Sequence, residues 1–140
     1  MTDYIVDASV VIQHFITDTH TPHVDALFHE LGNTVELHVP EFCLLECANV
    51  LWKEVRFHGM PQADASMLVT DLVSLPLTIL PVSRLLSRSL QIGLTHQLAV
   101  YDATYIALAE ALNRSLITVD TNQDKAARAV GITLKSITDF

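Results

Sequence analysis

Apolar residues along the chain fall into short runs and helical stripes separated by polar turns. Tyr4-Ile5-Val6 is a brief run of strand formers that ends in Asp7-Ala8-Ser9, small and polar residues suited to a strand-to-helix turn. Helical spacing follows over Val10 to Thr17. It returns over His23 to Leu31, where Val24, Leu27, Phe28 and Leu31 share a face and Gly32-Asn33 ends the pattern. Val35 to Val39 predicts a second strand. Pro40 opens a long helix to about His58, with Leu44, Leu45, Ala48, Leu51, Trp52 and Val55 as a wide apolar face and Gly59 as its stop. A further helix over about Pro61 to Val73 completes a helical hairpin.

Leu77 to Leu80, bounded by Pro76 and Pro81, predicts a third strand, and Ser83 to about His96 a helix. Tyr101 to Leu112 carries small apolar residues, including Ile106, Ala107, Ala109 and Ala111, and reads as a buried helix. Ser115 to Val119 returns to strand, Asp124 to Val130 is a short helix ended by Gly131, and Ile132 to Leu134 is a last strand. Strands that alternate with helices predict a parallel sheet with helices on both faces. No linker, repeat or low-complexity stretch interrupts the pattern, so one domain over residues 1–140 is expected.

Composition narrows the class. Half of the 140 residues are hydrophobic, 17% are charged, and Gly and Pro together number nine (4 + 5), which excludes a disordered or collagen-like chain. No apolar run approaches the roughly 18 residues that cross a bilayer, and Met1-Thr2-Asp3-Tyr4 lacks the layout of a secretory signal, so a cytoplasmic protein is expected. Cys43 and Cys47 lie four apart in a predicted helix, where a bridge constrains little; two buried thiols are the expectation. The formal charge of −8, from 16 acids and 8 bases, argues against binding nucleic acid through a broad basic surface. A phosphate substrate would have to be met locally, and a divalent cation is one way to do so.

Four acids stand at informative places. Asp7 and Asp120 follow predicted strands, and in an open parallel sheet ligands bind at the carboxyl ends of the strands. Asp102 lies at a helix start, where the partial positive charge of the helix end favours an acid. Glu46 sits one to two turns into its helix among mostly apolar neighbours, where a carboxylate needs a partner or a proton. Gathered together, these groups would repel one another unless a hard, oxygen-loving cation such as Mg2+ or Mn2+ lay among them. Taken singly, Asp7 and Asp102 can be helix caps and Asp120 can begin a turn.

Read together, Ile5-Val6-Asp7-Ala8-Ser9-Val10, Pro40 to Leu51 with Glu46 and Asn49, Tyr101-Asp102-Ala103 through Ala109, and Leu116-Ile117-Thr118-Val119-Asp120 resemble the PIN-domain family, and within it the VapC-type toxins of toxin–antitoxin pairs. The resemblance spans nearly the whole chain in the right order. It implies a three-layer α/β/α sandwich around a central parallel sheet, a Mg2+ or Mn2+ site, and hydrolysis of RNA phosphodiesters. The family's acidic positions carry over to Asp7, Glu46, Asp102 and Asp120. Ser9 and Thr118 match hydroxyl positions that support the site; otherwise they are a helix cap and a strand-end hydroxyl. The resemblance also implies a cognate antitoxin, with an apolar groove near the helices of Pro40 to Val73 as its surface, and homodimerisation.

One departure follows Asp120, where Thr121-Asn122-Gln123-Asp124 precedes the first basic residue, Lys125. Asp124 reads as a helix N-terminal charge or as a fifth acid. Glu46, Asn49 and Lys53 lie at i, i+3 and i+7, on one helical stripe, so Lys53 can be a phosphate contact or a solvated charge. Arg56, Arg84 and Arg88 are weaker candidates. His20, His23 and His29 lack a companion cysteine pair and read as surface residues rather than a zinc site. A haloacid-dehalogenase-like phosphotransferase would want a second acid where this chain has Ser9. A free-standing PIN nuclease and a PIN-fold binding module remain as alternatives to the toxin reading.

Overall fold

The computed structural model describes residues 1–140. Four strands, β1 (Thr2–Val6), β2 (Val35–Pro40), β3 (Thr78–Leu80) and β4 (Ser115–Ile117), form one sheet in the order β3-β2-β1-β4, with every pair parallel. Seven helices connect them: α1 (Ala8–Val11), α2 (Thr21–His29), α3 (Phe42–Phe57), α4 (Gln62–Ser74), α5 (Leu86–His96), α6 (Val100–Leu112) and α7 (Thr121–Val130). The arrangement is the expected three-layer α/β/α one.

Parallel strands cannot be joined by tight hairpins, so each connection carries helices back across the sheet. That coverage buries β1, whose Ile5 and Val6 are fully inaccessible to solvent. Alternation along β2 sends Val35, Leu37 and Val39 into the core and leaves Glu36 and His38 part-exposed. In α6 the seven consecutive residues Ala103–Ala109 are buried, which the small side chains of its sequence permit. Gly93 of α5 faces the connection to α6, where a Cβ would come within 2.8 Å of the Leu98 carbonyl oxygen and 3.7 Å of Ala103 Cβ in α6. α3 and α4 form the expected hairpin, and the Cys43 and Cys47 thiols are free and buried.

Three predicted elements differ. The helix expected over Val10 to Thr17 is only α1 and one 3-10 turn, Ile12–His14. Beyond it the side chains of Asp18 and Thr21 bind the Thr19 and Asp18 amides, a local alternative to helical hydrogen bonding. The expected last strand Ile132 to Leu134 is a lone bridge, Leu116 to Leu134, before Ser136 turns the chain by accepting from the Thr138 amide. β4 ends at Ile117 rather than Val119, because the Val119 and Asp120 amides turn away to the hydroxyls of Ser9 and Thr118.

Candidate active site

The register of the sheet builds the centre of the site. Val6 pairs with Ile117, so the next residues of the two strands, Asp7 and Thr118, emerge side by side at the carboxyl end of the sheet. Thr118 donates to Asp7 Oδ2 at 2.9 Å and Ser9 donates to Asp7 Oδ1 at 2.7 Å. Both carboxylate oxygens are thereby fixed, and the side chain is 4% exposed. The two hydroxyls in turn accept the Val119 and Asp120 amides at 3.2 and 3.1 Å. Ser9 and Thr118 therefore act together to orient Asp7 and to bend the chain toward Asp120.

Asp120 caps α7, its Oδ1 accepting from the Gln123 amide at 2.8 Å. α7 therefore begins three residues before the expected Asp124, and no loop intervenes. Asp102 lies in the first turn of α6, half-buried, and its carboxylate has no hydrogen-bond donor from the protein. Gln123, fully buried, donates from Nε2 to the Asp102 main-chain oxygen at 3.0 Å and so ties the start of α7 to the start of α6. Glu46 projects from α3 and accepts from the Tyr105 hydroxyl at 2.7 Å.

Tyr105 and Gln123 were not foreseen. Each carried a signal, since Tyr105 follows Asp102 by three residues on α6 and Asp120-x-x-Gln123 has the form of a helix-capping box. In that box the glutamine side chain usually reaches back to its own cap; here it reaches α6.

The electrostatics link all four acids. Burial raises Asp7 from an ordinary 3.8 to about 7, overcoming the opposing hydrogen bonds from Ser9 and Thr118, and Asp120 adds to the rise. Burial also raises Glu46, against the Tyr105 hydrogen bond, with Asp102 contributing. Asp102 is raised by burial and by Asp120. Carboxylates that disfavour one another's charge, one of them without a protein donor, are a donor set that suits a hard divalent cation. Mg2+ keeps several waters and is held through one or two carboxylates, which fits acids spread over four elements.

The other expected residues lie at varied distances from this chemistry. Asp124 is in the first turn of α7 and pairs with Arg128 at 2.8 Å, as a helix N-terminal charge. Asn49, Lys53 and Arg56 are exposed on α3, and the Arg56 guanidinium lies 5.5 Å from the Phe57 ring centroid. No hydrogen bond or ion pair joins them to the acids. Arg88 is bound to Glu110 through two hydrogen bonds of 2.8 and 2.9 Å and is not available to a phosphate without breaking them. Arg84 is exposed. His23 Nδ1 lies 2.8 Å from the Phe140 carbonyl oxygen. Phe42, Leu44, Leu45, Val69, Leu72 and Val73 line an apolar groove of about 600 Å³ between α3 and α4, with Leu45 and Val73 more than half exposed.

The family model for the PIN domain matches residues 4–129. The chain is similar to the ribonuclease VapC9 of Mycobacterium tuberculosis, 30% identical over 125 residues that cover 89% of this chain and 91% of the relative. Its fold is similar to the crystal structure of PAE2754 from Pyrobaculum aerophilum, with a TM-score of 0.76 at 23% identity over 99% of this chain and 92% of that one. It is likewise similar to VapBC2 from Rickettsia felis bound to a DNA fragment from its promoter, with a TM-score of 0.69 at 15% identity over 96% and 98% of the two chains. A match that runs from β1 into α7 takes in all four acids and the strands and helices that present them, and the chain belongs to the PIN-domain family.

Proposed function

We propose that this chain is a metal-dependent endoribonuclease acting as the toxin of a toxin–antitoxin pair in the cytoplasm, with Asp7, Glu46, Asp102 and Asp120 as its working residues. The observation that carries the reading is the seating of Asp7 by Ser9 and Thr118, residues 109 positions apart in sequence that converge on one carboxylate. An isolated strand-end cap does not call for such a seat. Asp7, Asp102 and Asp120 would hold Mg2+ or Mn2+, directly or through water. A cation there supplies positive charge to the phosphoryl oxygens and lowers the pKa of water.

The protein's own groups do the rest. Ser9 and Thr118 hold Asp7 in one orientation, and Gln123 fixes the backbone that carries Asp102. Glu46, kept in place by Tyr105 and raised in pKa by burial, is the group suited to orient the attacking water and receive its proton. The similarity to a VapC ribonuclease and to a VapBC assembly supports an RNA substrate and an antitoxin partner. The apolar groove between α3 and α4 is the surface we assign to the antitoxin, and a homodimer is the expected assembly.

The test is cleavage of mixed RNAs by purified protein in Mg2+, Mn2+ or EDTA. We expect activity with either metal, none in EDTA, and a loss of at least about 100-fold in Asp7→Asn and Asp102→Asn, since each removes a charge from the metal's surroundings. Equal cleavage in all samples would sink the proposal. A PIN-fold binding module would cleave in none of them and would also fail to bind the metal. A free-standing nuclease would cleave but have no small antitoxin reading frame beside its gene.

A further inference from the structure

Away from the acidic cleft, Asp3, Glu36 and His38 form the only group of three His, Cys, Asp or Glu side chains whose ligand atoms all lie within 4.8 Å of one another. Asp3 pairs with Glu36 in the β1–β2 register, and His38 lies two residues further along β2, so period-two alternation brings all three side chains to one face. Four residues of strand, about 13 Å, separate Asp3 from Asp7. This cluster is a separate place on the molecule.

Its internal geometry is not that of an ordinary ion pair. His38 Nε2 stands 3.5 Å from Asp3 Oδ2 and 4.0 Å from Glu36 Oε1. Neither contact is a hydrogen bond, and both ring nitrogens of His38 are shielded from solvent without a hydrogen-bond partner. A buried ring N–H without an acceptor costs free energy, and one nitrogen of a neutral imidazole always carries a proton. Ligands held about 2.1 Å from a tetrahedral metal stand roughly 3.4 Å apart, close to the Nε2–Oδ2 separation. The Nε2–Oδ2 pair is spaced as co-ligands rather than as donor and acceptor, and Glu36 Oε1, at 4.0 Å, would have to move in to join them.

The surroundings suit a cation as well. Thr78 donates to Glu36 Oε1, the oxygen nearest His38, at 2.6 Å and orients that carboxylate, as outer partners of metal ligands do. Arg114 Nε lies 3.6 Å from Asp3 Oδ2, with its side chain about half exposed. It shares that oxygen with the proposed ligand set, so a bound cation would have to displace the guanidinium toward solvent.

We propose that Asp3, Glu36 and His38 form a second metal site, distinct from the acidic cleft, for a borderline ion of the Zn2+ type, with one nitrogen and two oxygen ligands and a remaining position for water. The nitrogen ligand favours Zn2+ over Mg2+, which prefers an all-oxygen shell. A bound ion would occupy Nε2 and leave only Nδ1–H without a partner. Because it bridges β1 and β2, it would also strengthen the sheet.

The test uses the full chain freed of metal by chelator, with the substitutions Asp7→Asn and Asp102→Asn to weaken the acidic cleft. Co2+ serves as the probe, read by its visible absorption and by calorimetry, with Zn2+ added as competitor. We expect one equivalent of Co2+ with the absorption of a four-coordinate nitrogen–oxygen site, displaced by Zn2+, and at least a tenfold loss of affinity in His38→Ala. Asp3→Asn and Glu36→Gln, both at part-exposed positions, should give the same loss if His38→Ala folds poorly. Co2+ binding that is absent from the parent, or unchanged in all three variants, overturns the proposal.

Discussion

Asp7 shows what a single side chain contributes and costs. Its folded pKa of about 7 lies above its ordinary 3.8, so the metal-free protein holds the protonated form more favourably than the unfolded chain does. Stability from this source is complete below about pH 4 and is lost as pH rises through 7, by up to about 4 kcal/mol at roughly 1.4 kcal/mol per pKa unit. In EDTA, urea midpoints should therefore fall between pH 5 and pH 8, and Asp7→Asn should take the largest single share out of that slope. Glu46 and Asp102 are raised too and supply the remainder. Mg2+ should reverse the trend, because Asp7 must release its proton to face a cation. If the midpoints of the parent in EDTA are flat over this range, Asp7 does not carry this burial penalty. From sequence, the apolar surroundings of Glu46 already called for a partner. That the partner is Tyr105 was not legible, since 59 positions separate the two and only the packing of α3 against α6 joins them.

Among the elements, the joint between α6 and α7 carries the most functional consequence. Gln123 spends one amide N–H on Asp102 while its Oε1 is buried without a partner. Replacing it with leucine, of similar volume, removes one hydrogen bond worth about 1 kcal/mol and also removes an unsatisfied carbonyl, so the two effects on stability nearly cancel. The joint itself is lost. If Asp102 holds the metal as proposed, we expect Gln123→Leu to melt within a few degrees of the parent and yet to bind Mg2+ or cleave RNA about tenfold less well, by the usual penalty for loosening an outer partner of a metal ligand. A melt that drops steeply with no separate loss of function would make Gln123 purely structural. Strand and helix identities were largely legible at this scale, because β1, β2 and α3 follow their hydrophobic periods closely. Ends were less so: β4 stops early and α7 starts early because the hydroxyl of Thr118 and the carboxylate of Asp120 take backbone amides that periodicity assigns to other elements.

For the molecule as a whole, charge decides how RNA can be met. Of the eight Lys and Arg residues, Arg88, Arg114, Arg128 and Lys135 are held by acids, which leaves Lys53, Arg56, Arg84 and Lys125. Four phosphate contacts at about 0.7 each limit the slope of log affinity against log salt to about −3 for single-stranded RNA. Titration of a catalytically disabled variant at several salt concentrations measures it, and a much steeper slope would mean that a partner copy or another surface supplies cations. The overall α/β layering was legible from alternating elements, and the family from four short segments in order. The His38 cluster was not, because it depends on which strands become neighbours. That neighbour order has a further consequence, in time rather than space. β1 is made first but sits between β2 and β4, and the seat of Asp7 is closed by Thr118. While a ribosome is still extending this chain, the residues that complete the cleft do not yet exist. The order of synthesis thus keeps the seat of Asp7 open until the last strand has emerged.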